Sequence, residues 1–155
     1  MSSKAKPIPE TQQGVTPYLA VKGAEAAIEF YQRAFGAIES SRIPMPDGRI
    51  GHAEIRIGKA LIMMADEYPE IAFSSPETLG GSPVSLHLYV EDVDALFSRA
   101  VAAGAKVLTP VADKFYGDRA GRLADPFGHV WMFATHVEDL SAGEIERRAK
   151  NAGEE

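Results

Sequence analysis

Residues 15–36 read VTPYLAVKGAEAAIEFYQRAFG, and this stretch predicts a strand followed by a helix. From Val15 to Val21 apolar side chains alternate with polar or small ones, which is the pattern of a half-buried strand. From Ala24 to Phe35 the apolar residues recur at helical spacing, and Gly36 stands where helices commonly end in the left-handed conformation. The stretch therefore predicts a helix that covers one face of a sheet.

Three more extended runs follow this helix, and turn-forming residues separate them. They are Ile38–Ile43, Ile50–Ile57 and Ala60–Ala65. The same order of elements then restarts. A strand is predicted at Val84–Val90, a helical face at Val93–Val101, and further strands near Lys106–Val111, Gly121–Ala124 and Val130–Thr135.

The spacing between matching landmarks is nearly constant. Val90 follows Val21 by 69 residues, and Gly104 follows Gly36 by 68. The chain therefore reads as two copies of one β-α-β-β-β unit. The predicted fold is α+β, with two paired βαβββ modules whose mixed sheets curve around a central cup.

The predicted organisation has one domain between two short flanking segments. Residues 1–13 lack periodicity and predict a flexible N-terminal segment. Residues 14–137 form the domain, with modules at 14–66 and 84–137 and a linker or lid at 67–83. Residues 138–155 form a helical tail that begins near a capping-box pattern at Ser141–Glu144.

Composition narrows the function classes. The absence of cysteine excludes disulfide scaffolds, cysteine nucleophiles and thiolate metal sites, and favours a cytoplasmic location. A net charge of −6 without a basic stripe argues against nucleic acid as a partner. No targeting segment or membrane-spanning run is recognised. The expected partner is a small molecule.

Strand parity assigns a face to each side chain, because residues i and i+2 point the same way. One set is apolar and predicts the core: Leu19, Val21, Ala53, Ile55, Ile57, Leu86, Leu88, Val90, Trp131 and Phe133. The opposite faces supply most of the predicted ligand contacts, which are Tyr18, His52, Glu54, Arg56, His87, Tyr89, Tyr116, Arg122 and Met132. The alternative is that these side chains merely face solvent.

Two motifs carry a family resemblance. Phe30–Gly36 (FYQRAFG), together with Asp125–His129 (DPFGH), resembles the vicinal oxygen chelate superfamily, which includes glyoxalase I, extradiol dioxygenases, fosfomycin-resistance enzymes and bleomycin-binding proteins. Gly51–Ile55 and Tyr116–Arg119 resemble its PhnB-like branch. The resemblance implies paired βαβββ modules, often assembled as homodimers with sites near the subunit interface.

The resemblance also locates where metal-dependent members hold their metal. The opening-strand positions fall at Thr16 and Ser85, and the closing-strand positions at Met132 and at Ile62 or Met63. These side chains are poor ligands for hard or borderline divalent ions, so no metal or other cofactor is predicted. The alternative is a divalent metal at a displaced site built from His52, Glu54 and His87.

Two main functions are therefore expected. The first is metal-free binding that sequesters a small aromatic or cationic molecule, with Glu54 as the anionic contact. The second is a lyase, isomerase or transferase-type enzyme that uses His52, Glu54 or His87 as general base, with or without a displaced metal. A third possibility is an interacting module whose cup is filled by its own side chains.

Overall fold

The computed structural model describes residues 4–152, whose contacts divide them into two units. The first unit holds residues 4–32 and 36–75, and the second holds 33–35 and 76–152. Each unit carries one four-stranded mixed sheet. The predicted α+β fold of two βαβββ modules is thereby confirmed.

The first unit places its opening strand beside its last. Strand β1 (Tyr18–Val21) pairs in parallel with β4 (Ala60–Asp66), and Tyr18 lies opposite Met63. The antiparallel neighbours β3 (Ile50–Ile57) and β2 (Ile38–Pro44) complete the order β1-β4-β3-β2. Helix α1 (Ala24–Phe35) connects β1 to β2. Its bounds are those predicted from the sequence.

The second unit repeats this plan in the order β5-β8-β7-β6. A short helix α2 (Pro76–Leu79) precedes it. The main elements are β5 (Ser85–Tyr89), α3 (Val93–Ala103), β6 (Lys106–Asp113), β7 (Asp118–Ala124), β8 (Val130–His136) and the terminal helix α4 (Ala142–Ala152). No helix within residues 4–152 is long and apolar enough to cross a bilayer.

Most predicted strand and helix ends agree with the structure to within two residues, and the larger differences lie at β1, at β7 and between the modules. Strand β1 begins at Tyr18 because Pro17 has no backbone N–H to pair, and Val15 is almost fully exposed. Strand β7 begins at Asp118, earlier than Gly121. The stretch between the modules contains a short 3₁₀ turn, Pro69–Ile71, as well as α2. It is therefore partly ordered by local hydrogen bonds.

The predicted core residues of the first unit are buried, but some of those predicted in the second unit are not. Leu19, Val21, Ala53, Ile55 and Ile57 are buried, as are Trp131 and Phe133. The exceptions are Leu86, Leu88 and Val90, which are only half-buried. Helix α3 packs chiefly against β6, β7 and β8. Strand β5 lies at the sheet edge beyond β8, so its apolar face receives less cover.

The last turn is organised by a buried carboxylate. Asp125 accepts hydrogen bonds from the backbone N–H of Phe127 at 2.9 Å and of His129 at 3.0 Å. Its other oxygen accepts from Trp131 Nε1 at 2.9 Å. This explains why the DPFGH motif forms a turn and why Trp131 is anchored in the core.

Candidate functional site

A pocket of about 640 Å³ lies entirely within the first unit. Its volume is in the range of sites that hold small molecules, roughly 300–1,000 Å³. Most of its lining is apolar, with aromatic rings from two strands and from the segment after β4. The lining residues are Tyr18, Ile43, Met45, Gly51, His52, Ala65, Tyr68, Ile71, Ala72 and Phe73.

Two polar side chains of the lining, Tyr18 and His52, form a chain with Glu54. Tyr18 Oη lies 2.7 Å from His52 Nδ1, and His52 Nε2 lies 3.5 Å from a carboxylate oxygen of Glu54. Strand β4 separates β1 from β3, so Tyr18 and His52 meet across it, beside the small Ala65. Glu54 follows His52 by two residues on β3 and therefore shares its face. Three predicted site residues are thus brought together.

The Glu54 carboxylate has further partners that sequence did not predict. Gln12 Nε2 donates to one oxygen at 3.2 Å, and Ser41 Oγ donates to the other at 3.3 Å. No ion pair joins Glu54 to Arg56 within the described chain. Burial raises the pKa of Tyr18, and the negative charge of Glu54 raises it further. Tyr18 therefore remains a neutral phenol at physiological pH.

One wall of the pocket is a short segment that we call the strap, residues 67–75. Its ends are joined by backbone hydrogen bonds from Tyr68 N to Phe73 O at 2.7 Å and from Phe73 N to Tyr68 O at 3.1 Å. Between them Ala72 adopts a left-handed conformation with φ of 60°. The Phe73 ring contacts Tyr18 edge-on, with centroids 5.7 Å apart.

Arg49 holds the strap from the β2–β3 turn. Its guanidinium lies over the Tyr68 ring, 3.8 Å from the centroid, and pairs with Glu70 at 2.9 Å. Asp47 fixes the arginine from its other side at 2.7 Å. Sequence reasoning missed this arrangement, because neither Arg49 nor the strap lies in a periodic segment. The single signal was that residues 67–83 read as a linker or lid.

A second polar cluster lies on the sheet of the other unit. Asp118 is 4% exposed, and its two oxygens accept from Tyr89 Oη at 2.6 Å and contact His136 Nδ1 at 2.8 Å. Burial alone raises the pKa of Asp118, but the hydrogen bonds from Tyr89 and His136 outweigh it, and the pKa lies below its ordinary value. His87 packs edge-on against Tyr89, with centroids 5.0 Å apart.

His136 stands between two carboxylates. Its Nε2 lies 2.8 Å from Asp139, whose side chain is fully exposed. The hydrogen bond to Asp118 and then that to Asp139 raise the pKa of His136. Asp118 was missed because nothing in the local pattern marks it as buried.

The remaining predicted contacts are dispersed over three strands and a turn. Arg56 is half-buried on β3 and Arg122 is exposed on β7, and neither makes an ion pair with another residue between 4 and 152. Met132 on β8 lies opposite Arg122 and His87 in the sheet register. Tyr116 is half-buried in the turn before β7.

The positions where related proteins would hold a metal do not fit one. Thr16 and Met63 belong to the first unit, and Ser85 and Met132 to the second; none offers an imidazole or carboxylate. Within residues 4–152 no group of three or more histidine, aspartate or glutamate side chains is placed to hold a metal ion.

The fold has two mixed sheets, each in βαβββ order, and a pocket of a size suited to a small molecule borders one of them. This arrangement defines a paired-module α+β protein. Residues 13–133 match the Glyoxalase/Bleomycin resistance protein/Dioxygenase superfamily, and the chain belongs to it.

The chain is similar to other proteins in sequence and, at lower identity, to solved structures. An uncharacterized protein of Mycobacterium bovis is 42% identical over 146 residues, covering 92% of this chain and 96% of the relative. Among solved structures, TioX from Micromonospora sp. ML1 has a TM-score of 0.64 at 27% identity, covering 83% of this chain and 100% of that one. A putative 3-demethylubiquinone-9 3-methyltransferase, PhnB protein, from Bacillus cereus has a TM-score of 0.62 at 22% identity, covering 79% and 99%, and shows the fold alone.

Proposed function

We propose that the protein binds a largely apolar, aromatic small molecule in the pocket of the first unit. The observation that carries this proposal is the composition of the pocket's lining, together with a pocket volume that suits a small molecule. Aromatic and aliphatic side chains from the strap and strands surround one accessible polar pair, Tyr18 and His52. Such a combination is typical of small-molecule sites, in which apolar walls supply affinity and a few polar groups fix orientation.

The chemistry of the lining favours an aromatic ligand over a cationic one. The rings of Tyr18 and Phe73 already meet edge-on, a geometry that a ligand ring can extend. No carboxylate is among the described residues that line the pocket, and Glu54 is engaged by Gln12 and Ser41. A cation would therefore lack a direct counter-ion among the lining residues.

A matched pair of variants tests the binding proposal. Neutral bicyclic aromatics such as indole and 1-naphthol are titrated by protein NMR and thermal shift. Phe73→Ala removes one wall and should weaken binding about tenfold, which corresponds to about 1.4 kcal/mol. Leu79→Ala truncates an exposed apolar side chain outside the pocket and should leave affinity unchanged. No binding at concentrations well above micromolar, or equal losses in both variants, would overturn the proposal.

The second candidate is an enzyme of the lyase, isomerase or transferase type at the same pocket, with or without a displaced divalent metal. The observation in its favour is the Tyr18–His52–Glu54 chain, because a carboxylate beside an imidazole can stabilise the proton that the imidazole takes up. Ligand conversion that is detected by NMR and lost in His52→Ala would favour the enzyme. Unaltered ligand after prolonged incubation favours the binder.

The ligand contacts predicted in the second unit remain part of the proposal. His87, Tyr89, Tyr116, Arg122 and Met132 would contact a small molecule at the second unit, and Arg56 would do so at the first; none of them lines the pocket described above. Substituting them one at a time in the same titrations tests each residue separately.

A homodimer is also proposed. Ile43, Met45 and Ile71 line the pocket of the first unit and are 55%, 41% and 74% exposed. Clustered exposed apolar side chains of this kind commonly mark an interaction surface. Light scattering should give twice the chain mass, and Ile71→Asp should shift the species toward monomer.

A further inference from the structure

The hydrogen bond between Tyr18 and His52 has a direction that Glu54 sets. A neutral imidazole carries its proton on one nitrogen and accepts through the other. The Glu54 carboxylate lies 3.5 Å from Nε2, where a proton is attracted and a bare lone pair is repelled. The proton therefore belongs on Nε2, and Nδ1 is left as the acceptor that faces Tyr18 at 2.7 Å.

Tyr18 must then be the donor in this bond. Burial and the charge of Glu54 both hold its phenol in the protonated form by raising its pKa. A phenol has one proton to donate, and this one is directed to His52. The oxygen of Tyr18 consequently retains only lone pairs for any further partner.

The other donors near the pocket are directed to carboxylates: the Nε2–H of His52 faces Glu54 at 3.5 Å, and the Arg49 guanidinium pairs with Asp47 and Glu70. Glu54 is a carboxylate and can only accept. The Tyr68 hydroxyl has no hydrogen-bond partner among the described residues, and it is shielded from solvent. Tyr18 is 45% exposed, so its oxygen belongs to the accessible polar pair of the lining.

We infer that the pocket selects aromatic ligands that carry an N–H or O–H donor, which bonds to the phenolic oxygen of Tyr18. This inference rests on the proposed binding function and specifies its ligand class. Phenols and indole-type N–H heterocycles fit it, whereas ethers and furans of the same shape do not. Tyr18 is the specificity-determining contact, and His52 and Glu54 are positioning residues that orient its proton away from the ligand.

Pairs of probes with nearly the same shape test whether binding depends on an N–H or O–H donor of the ligand. Indole and benzofuran differ by N–H against O in nearly the same ring frame, and 1-naphthol and 1-methoxynaphthalene form a second pair. Titration at pH 8, where imidazoles are ordinarily neutral, should show the donor probe binding about three- to tenfold more tightly in each pair. Tyr18→Phe should abolish this preference while retaining the affinity for benzofuran. Glu54→Gln should reduce the preference by releasing the imidazole tautomer.

A readout independent of ligands accompanies the titrations. The ¹⁵N shifts of the His52 ring at pH 8 should report the Nε2-protonated tautomer in the wild type and a mixture in Glu54→Gln. An Nδ1-protonated wild type overturns the inference. Equal binding of both members of each pair, with Phe73→Ala weakening both, overturns the inference but leaves the binding proposal standing. Absence of binding by all four probes overturns both.

Discussion

The carboxylate of Asp66 accepts a hydrogen bond from the backbone N–H of Ala24 at 2.8 Å, at the first residue of helix α1. The same oxygen accepts from Gly23 at 3.0 Å, and the other oxygen accepts from Ile50 N at 2.6 Å. Gly23 has no side chain to cap the helix and adopts a left-handed conformation. The last strand of the module therefore caps its helix.

The second module repeats this device at the position 69 residues later. Thr135 Oγ1 accepts from the backbone N–H of Val93 at 3.0 Å, at the first residue of α3. Asp92 adds a local cap by accepting from Ala95 N at 3.0 Å. The repeat inferred from the valine and glycine spacing thus extends to helix capping, but α3 has two caps where α1 depends on Asp66.

Asp66→Ala should destabilise the protein more than Thr135→Val. Three backbone donors lose their acceptor in the first variant, and an unsatisfied buried donor costs about 1–3 kcal/mol. We expect a loss of roughly 2–4 kcal/mol in the free energy of unfolding for Asp66→Ala and about 1 kcal/mol for Thr135→Val, measured by urea denaturation. Equal losses would show that the carboxylate is not the dominant cap.

Most of the fold could be predicted from sequence patterns that lie within single segments. Helix α1 and strand β3 have the bounds that the sequence predicted, because their period, turns and terminal glycine all lie within the segments themselves. Strand parity likewise brought Tyr18, His52 and Glu54 into one predicted site. The geometry that joins them depends on β4 lying between β1 and β3, and the sequence pattern left the place of β1 in the sheet open.

What sequence could not supply are contacts made by segments without periodicity. Gln12 reaches Glu54 from a stretch that gave no signal, 42 residues away along the chain. Arg49 reaches the strap from a turn. Asp118 lies within the Tyr116–Arg119 motif, but nothing in that motif marks it as buried; the hydrogen bond from Tyr89 and the contact with His136 offset the cost of burying its carboxylate.

The Asp118–His136 pair should stabilise the protein within a limited pH window. The pKa of His136 is raised, so its contribution is complete below the ordinary histidine value of 6.5 and is lost as pH rises through the raised pKa. The pKa of Asp118 is lowered, so its contribution is present above the ordinary aspartate value of 3.8 and is lost as pH falls through the lowered pKa. The window therefore covers pH 3.8 to 6.5 in full and extends somewhat beyond both ends.

Chemical denaturation across pH 3 to about 9 measures this window. The difference in unfolding free energy between wild type and His136→Gln should be largest within it and should shrink on both sides. By NMR, Asp118→Asn should lower the pKa of His136 markedly. Asp139→Asn serves as control and should lower it less, because Asp139 is fully exposed. A difference that is flat with pH would contradict the prediction.

Arg49→Ala should loosen the strap without unfolding the unit. The ion pairs of Arg49 are exposed and contribute little to stability, but its stacking on Tyr68 and its bond to Glu70 restrain one wall of the pocket. We expect faster hydrogen exchange at the Phe73 amide and weaker binding of indole. Arg147→Ala removes an exposed ion pair on α4 and is the matched control. Unchanged exchange at Phe73 would show that the strap is held by its backbone alone.

Tyr68→Phe should leave the free energy of unfolding unchanged or raise it by up to about 1 kcal/mol. The Tyr68 hydroxyl is shielded from solvent and has no partner in the described part of the chain, so its removal relieves an unpaired polar group. Tyr89→Phe is the contrasting variant, because its hydroxyl donates to the buried Asp118 at 2.6 Å, and it should lower stability by about 1 kcal/mol. Thermal and urea unfolding of the two variants checks both signs.

If Tyr68→Phe destabilised the protein as much as Tyr89→Phe does, its hydroxyl would have to be hydrogen-bonded in solution. The donor-selective binding assigned to Tyr18 would then need to be tested again in Tyr68→Phe, since a second hydroxyl would be available to the ligand.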